Sequence, residues 1–170
     1  MNVFDFAMEM EMSGYDYYQN LASTATLPGL KTIFASLAED ERKHAEIFKA
    51  LKEGSQDLAL PVSGSLDTAQ NIFSSLPRGE EGVKDISEVL AAYQHAMKLE
   101  AESFRFYEDA ADKETDTGVK ALLLKIADEE QRHFNILENV YNFVNAPTQS
   151  LEWGEFSNLG EFRQFGRDAD

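Results

Sequence analysis

The 170-residue sequence carries 15 basic and 31 acidic side chains, a formal net charge of −16, and no cysteine. A surface that acidic repels nucleic acid and anionic lipid, so neither is an expected partner. The lack of thiols excludes disulfides, iron–sulfur clusters, a Cys-ligated iron site and thiol catalysis.

An apolar share of 43% suits one domain with one sizeable core. The sequence shows neither a basic leader nor an uninterrupted apolar run of about 18–20 residues, so a soluble, cytoplasmic protein is expected.

Four segments carry the helical period. The first is predicted from Val3 to Ala25, with Met8, Glu11, Tyr15, Tyr18 and Ala22 along one stripe. The second runs from Leu30 to Leu51, and its stripe includes Phe34, Leu37, Glu41, His44 and Phe48. Pro28 suits a first helical turn. The third runs from Ile86 to Ala111 through Tyr93, Met97, Glu100, Ser103, Phe104 and Tyr107. The fourth runs from Val119 to Val144 through Leu123, Ile126, Glu130, His133 and Leu137.

Short turns join the first helix to the second and the third to the fourth. The connection 52–84 is long enough to cross the length of a bundle, and a short helix from Asp67 to Leu76 is predicted within it. Residues 1–145 are thus expected to form an all-α bundle of two antiparallel hairpins joined by a long crossover. The tail 146–170, with Trp153, Phe156, Phe162 and Phe165, is expected to pack on the bundle or on a neighbouring subunit.

A shift of 89 residues superimposes the two halves without a gap. Met8 falls on Met97, Glu11 on Glu100, Tyr18 on Tyr107, Gly29 on Gly118, Glu41 on Glu130 and His44 on His133. Each half is one helical hairpin. Glu11 and Glu41 are equidistant from the first turn, and Glu100 and Glu130 from the second, so each pair meets at one height in mid-bundle. Each histidine follows its glutamate by three residues, on the same face.

Four carboxylates and two imidazoles therefore point into one core. Buried together without partners, the carboxylates would repel one another or take up protons. Two divalent cations would balance their four charges. Oxygen donors with one imidazole per metal suit iron or manganese, with zinc also possible. One Glu-x-x-His on a charged helix is ordinarily a solvated face; two at a fixed offset, each matched by a glutamate on the preceding helix, form the known pattern of di-iron carboxylate bundles.

Tyr18 and Tyr107 follow Glu11 and Glu100 by seven residues. Core packing and a hydrogen bond to a metal ligand across the bundle are both open for them, and one tyrosine can do both. His95 lies off the ligand stripe and is read as non-ligating. Glu9, Glu39, Glu102 and Glu129 are expected to point away from the core into solvent.

At these residues the sequence resembles the ferritin-like superfamily, and within it the rubrerythrin-like proteins, over residues 3–145. The marks are Glu11-x6-Tyr18, Glu41-x-x-His44 within AEDERKHAEIF, Glu100-x6-Tyr107, and Glu130-x-x-His133 within ADEEQRHF. The resemblance implies two iron ions per chain bridged by Glu41 and Glu130. Glu11 and His44 would complete one iron, and Glu100 and His133 the other. It also implies reduction of hydrogen peroxide or dioxygen, and a homodimer is the expected assembly.

Two departures from the family stand out. Ser103 occupies the position of an additional ligating glutamate, and no cysteine is available for a rubredoxin domain, so an external electron donor protein is expected. The two-histidine pattern without the extra glutamate is closest to bacterioferritin. Ferrous iron oxidation and iron handling, as in ferritins, is the alternative reading.

Overall fold

The computed structural model describes residues 2–55, 58–61, 63–75 and 86–145. These contain five helices and no strand: α1 (Val3–Thr24), α2 (Pro28–Lys52), α3 (Ser65–Ser75), α4 (Ile86–Lys113) and α5 (Thr117–Asn145).

The helix ends follow local chemistry. The Asn2 side chain caps α1 by accepting from the Phe4 and Asp5 amides. Pro28 opens α2, two residues before the predicted start, because a first-turn amide needs no partner inside the helix. Asp116 starts α5 before the predicted Val119 by capping it, its Oδ1 accepting from the Val119 amide at 2.9 Å. Gly54, just past α2, has a φ of 82°, a backbone conformation that disfavours a side chain.

α1 packs along α2 and α4 along α5, giving the two expected hairpins. The tyrosine hydroxyls fix how the hairpins face each other. Tyr18 of α1 reaches Glu100 of α4, while Tyr107 of α4 reaches Glu11 of α1. As the number rises along α1, its partner's number falls along α4, so these helices run antiparallel. The short turns therefore sit at opposite ends of the bundle, and the crossover must travel its length. α3, the helix expected in the crossover, lies against α2 and α5. The architecture is that of a ferritin-like bundle.

The core between the hairpins holds Phe34, Leu37, Phe48, Tyr107, Ile126 and Leu137, each essentially inaccessible to solvent. Phe48 stacks on Tyr107 with ring centroids 5.3 Å apart. Burying such side chains stabilises the fold by about 1.5–3 kcal/mol each. No described helix is long and apolar enough to cross a membrane. The tail 146–170 lies outside the described residues.

Candidate metal centre

Six side chains converge midway along the bundle, one or two from each long helix: Glu11 from α1, Glu41 and His44 from α2, Glu100 from α4, Glu130 and His133 from α5. All six are at least 96% buried. Two groups of four can each bring one donor atom to within 4.8 Å of the others. One is Glu11, Glu41, His44 and Glu130; the other is Glu41, Glu100, Glu130 and His133. Glu41 and Glu130 belong to both. A cation in each group would therefore share these two carboxylates with its neighbour, as expected for bridging ligands.

The histidine rings lie nearly parallel, 6.0 Å apart between centroids. Nδ1 of each faces the carboxylates. For His44 it is 3.1 Å from Glu130 and 3.3 Å from Glu11; for His133 it is 3.0 Å from Glu41 and 3.5 Å from Glu100. The opposite nitrogen is engaged elsewhere. His44 Nε2 donates to Glu129 at 2.7 Å, and His133 Nε2 donates to Asp40 at 3.0 Å. A carboxylate acceptor keeps the proton on Nε2 and leaves the Nδ1 lone pair for a metal.

Glu129 is the point at which the structure corrects the sequence reading. It is buried at 7% exposure rather than solvated, because α5 is flanked by α2 as well as α4, and Glu129 faces the α2 side where His44 lies. Asp40, equally unforeseen, is buried at 3% and also accepts from Ser63 and Ser65, at 2.6 Å each. The signal was present in the repeat: the same offset of 89 places Asp40 on Glu129, an acidic residue directly before the glutamate of each Glu-x-x-His. Glu9 and Glu102 are exposed, and Glu39 is half-exposed and paired with Arg42 at 2.6 Å. His95 packs against Tyr17 with the ring planes tilted by 58°, and it belongs to neither group.

Tyr18 and Tyr107 fill both roles left open for them. They are buried in the core, at 3% and 0% exposure, and their hydroxyls donate to Glu100 and Glu11 respectively. Burial and the adjacent carboxylate push both phenols well above their ordinary pKa, so they stay protonated and act as donors.

Without metal the cluster is electrostatically frustrated. Burial, then mutual repulsion with Glu130, raises Glu41 far above the usual carboxylate range; burial, then Glu11 and Glu100, does the same to Glu130. Burial alone would lower the histidines, but Glu11 beside His44 and Glu100 beside His133 raise both strongly. Protons thus take the place of cations. The fit is poor even so: Glu41 Oε1, Glu100 Oε2, Glu130 Oε1 and His133 Nδ1 are buried with ion-pair approaches at most and no well-aligned hydrogen bond. The four residues concerned, Glu41, Glu100, Glu130 and His133, are the members of the second group. The donor set fits metal.

Ser103 lies one turn beyond Glu100, where the family's additional glutamate is expected. Its repeat equivalent is Gly14, one turn beyond Glu11. A Cβ at Gly14 would sit 3.1 Å from Glu41 Oε2 and 3.3 Å from its Cδ. Two small residues therefore flank the shared carboxylates on the α1–α4 side, opposite the histidines.

The sequence matches the family described as Rubrerythrin over residues 2–141. No curated protein and no solved structure gives a significant match.

Proposed function

The chain belongs to the rubrerythrin family, and from that premise we propose that it reduces hydrogen peroxide or dioxygen at a pair of irons, using electrons from an external donor protein. The observation that carries this reading is the sharing of Glu41 and Glu130 by two four-residue groups, each completed by a histidine braced from behind.

Glu11 and His44 would complete one iron's ligands, Glu100 and His133 the other's. Bound there, the irons would supply redox electrons and Lewis acidity toward the oxidant's oxygens. The protein's own groups set the terms of that chemistry. Asp40 and Glu129 fix the imidazole tautomers. Tyr107 orients Glu11, and Tyr18 orients Glu100 while also lining the opening between α1 and α4. A small oxidant would approach through that opening, which Gly14, Ser103 and the shared carboxylates line.

Ser103 favours a second reading, ferrous iron oxidation followed by release, because each metal then has one terminal glutamate and one histidine. Loading the apo-protein anaerobically with two ferrous ions per chain, then mixing with peroxide or dioxygen, separates the two. Fast reaction with peroxide that stops at two irons per chain supports reduction of the oxidant. Preference for dioxygen, with iron uptake continuing beyond two, would establish iron handling instead. Manganese or zinc in iron's place is tested by loading the apo-protein with each metal and comparing affinities by chelator competition. Gel filtration tests the homodimer.

A further inference from the structure

The opening between α1 and α4 is larger than the proposed oxidants need. It encloses about 370 Å³, whereas two oxygen atoms occupy roughly the space of two waters, about 60 Å³. An apolar cavity of about 150 Å³ already accepts benzene, and organic-ligand pockets begin near 300 Å³.

The pocket is built rather than left by loose packing. At one end Phe6 of α1 packs on Phe106 of α4, with centroids 5.1 Å apart. At the other, the Tyr17 hydroxyl donates to the Ala92 carbonyl of α4 at 2.8 Å. The helices are thus pinned on either side of Gly14 and Ser103, and the gap between the pins is preserved.

The walls are mostly apolar, formed by Phe6, Met10, Tyr17, Ala96 and Leu99. The floor is the metal-centre carboxylates Glu41, Glu100 and Glu130. Glu9 and Glu102, both exposed, stand at the mouth. Carboxylates at the mouth, on a chain of net charge −16, oppose the entry of an anion. Ser13 and Ser103 offer hydroxyls along an otherwise apolar path.

We propose that this pocket binds a neutral, largely apolar organic molecule of one or two rings, its inner end against the metal centre beside Glu41 and Glu130. Its placement next to metals rests on the metal-centre reading above; its occupancy of the pocket does not.

The test uses 2-naphthol as a neutral two-ring probe and 2-naphthoate as its anionic counterpart. Naphthol fluorescence reads occupancy in the full-length apo-protein. Proton line broadening of the probe by cobalt-loaded protein, against zinc-loaded protein as control, reads proximity to the metals. Cobalt uptake is followed separately by its visible absorption.

We expect saturable naphthol binding, naphthoate at least tenfold weaker, and broadening with cobalt but not zinc. Ser103→Phe, which fills the pocket, and Leu99→Trp, which narrows its exposed mouth without touching the core, should each weaken naphthol binding at least tenfold. Leu99→Trp, whose side chain is exposed, should still take up two cobalt ions. Two bound cobalt ions with no naphthol binding, or equal naphthol binding in wild type and both variants, would overturn the pocket and leave the metal centre standing. Failure to hold cobalt would overturn the metal centre, while the fluorescence would still decide occupancy.

Discussion

Asp40 and Glu129 occupy equivalent places in the two hairpins, and each holds the histidine of the opposite hairpin, Asp40 that of α5 and Glu129 that of α2. The two braces are not equal. Asp40 is also clasped by Ser63 and Ser65 of the crossover, and Ser65 lies 2.6 Å from Ser36. Glu129 has none of these serine contacts. Burial opposes ionisation of Asp40, yet the His133 contact and the two serines hold its carboxyl well below the usual range.

Removing either brace should therefore weaken metal binding, and removing Asp40 should cost more. Asp40→Ala and Glu129→Ala are each expected to lower metal affinity by about 10–100-fold in chelator competition. Asp40→Ala should also lower the apo-protein's urea stability by about 2 kcal/mol more than Glu129→Ala, because it strips the partner from two serines as well as from a histidine. Equal stability losses would show that the crossover contacts contribute nothing.

The sharing of Glu41 and Glu130 predicts a stoichiometric pattern. His44→Ala or Glu11→Ala should leave about one tightly held metal per chain, since the second group remains whole. Glu41→Ala removes a member of both groups and should leave none after desalting. Metal analysis of the three variants reads the result directly. One metal retained by Glu41→Ala would mean the carboxylate is not shared.

Gly14 offers a sharper separation of stability from function. Alanine there should gain up to about 1 kcal/mol of helix stability, because α1 continues undisturbed through that position. Its methyl would press on Glu41 Oε2, so metal affinity should fall by about tenfold. A variant more resistant to urea as apo-protein but weaker in metal binding is the expected outcome. Unchanged metal affinity would show that Glu41 can yield the space freely.

The pH dependence follows from the raised groups. Glu41 and Glu130 bind protons in the folded apo-protein well above the 4.5 ordinary for a glutamate, and His44 and His133 well above 6.5. A raised folded pKa gives stability that is complete below the unfolded value and is lost as pH rises through the folded one. The apo-bundle should therefore weaken from about pH 5 toward pH 8, by about 1.4 kcal/mol per pH unit for each excess proton held. Asp40 and Glu11 are shifted the other way, so their contribution is present above the ordinary carboxylate range and is lost as pH falls below it. Metal replaces the protons, so the loaded protein should gain stability over the range in which the apo-protein loses it. Parallel urea midpoints at pH 5, 6, 7 and 8 check both slopes.

The helices and their pairing were legible because the apolar stripes keep a helical period and the repeat keeps its register through both turns. The height of Glu11 against Glu41, and of Glu100 against Glu130, followed from counting residues to a turn. The same counting could not show what flanks a helix sideways. Glu129 is only about 100° around α5 from Glu130, and whether that direction meets water or α2 depends on the packing of the hairpins. Gly14 was illegible for a related reason. A missing side chain carries no pattern, and the room it leaves appears only once α1 and α4 are placed against each other.

Neither hairpin contains a whole metal group. The first contributes Glu11, Glu41 and His44 but needs Glu130; the second contributes Glu100, Glu130 and His133 but needs Glu41. Each also borrows the carboxylate that orients its imidazole. A lone ancestral hairpin with this residue pattern could have held metal only by pairing with a second copy of itself. In the present chain the two hairpins are covalently joined, so equivalent positions need not carry the same residue. The Asp on one side and the Glu on the other, and the glycine in one half where the other has a serine, are such differences, and each gives its half a different surrounding for the same ligand pattern.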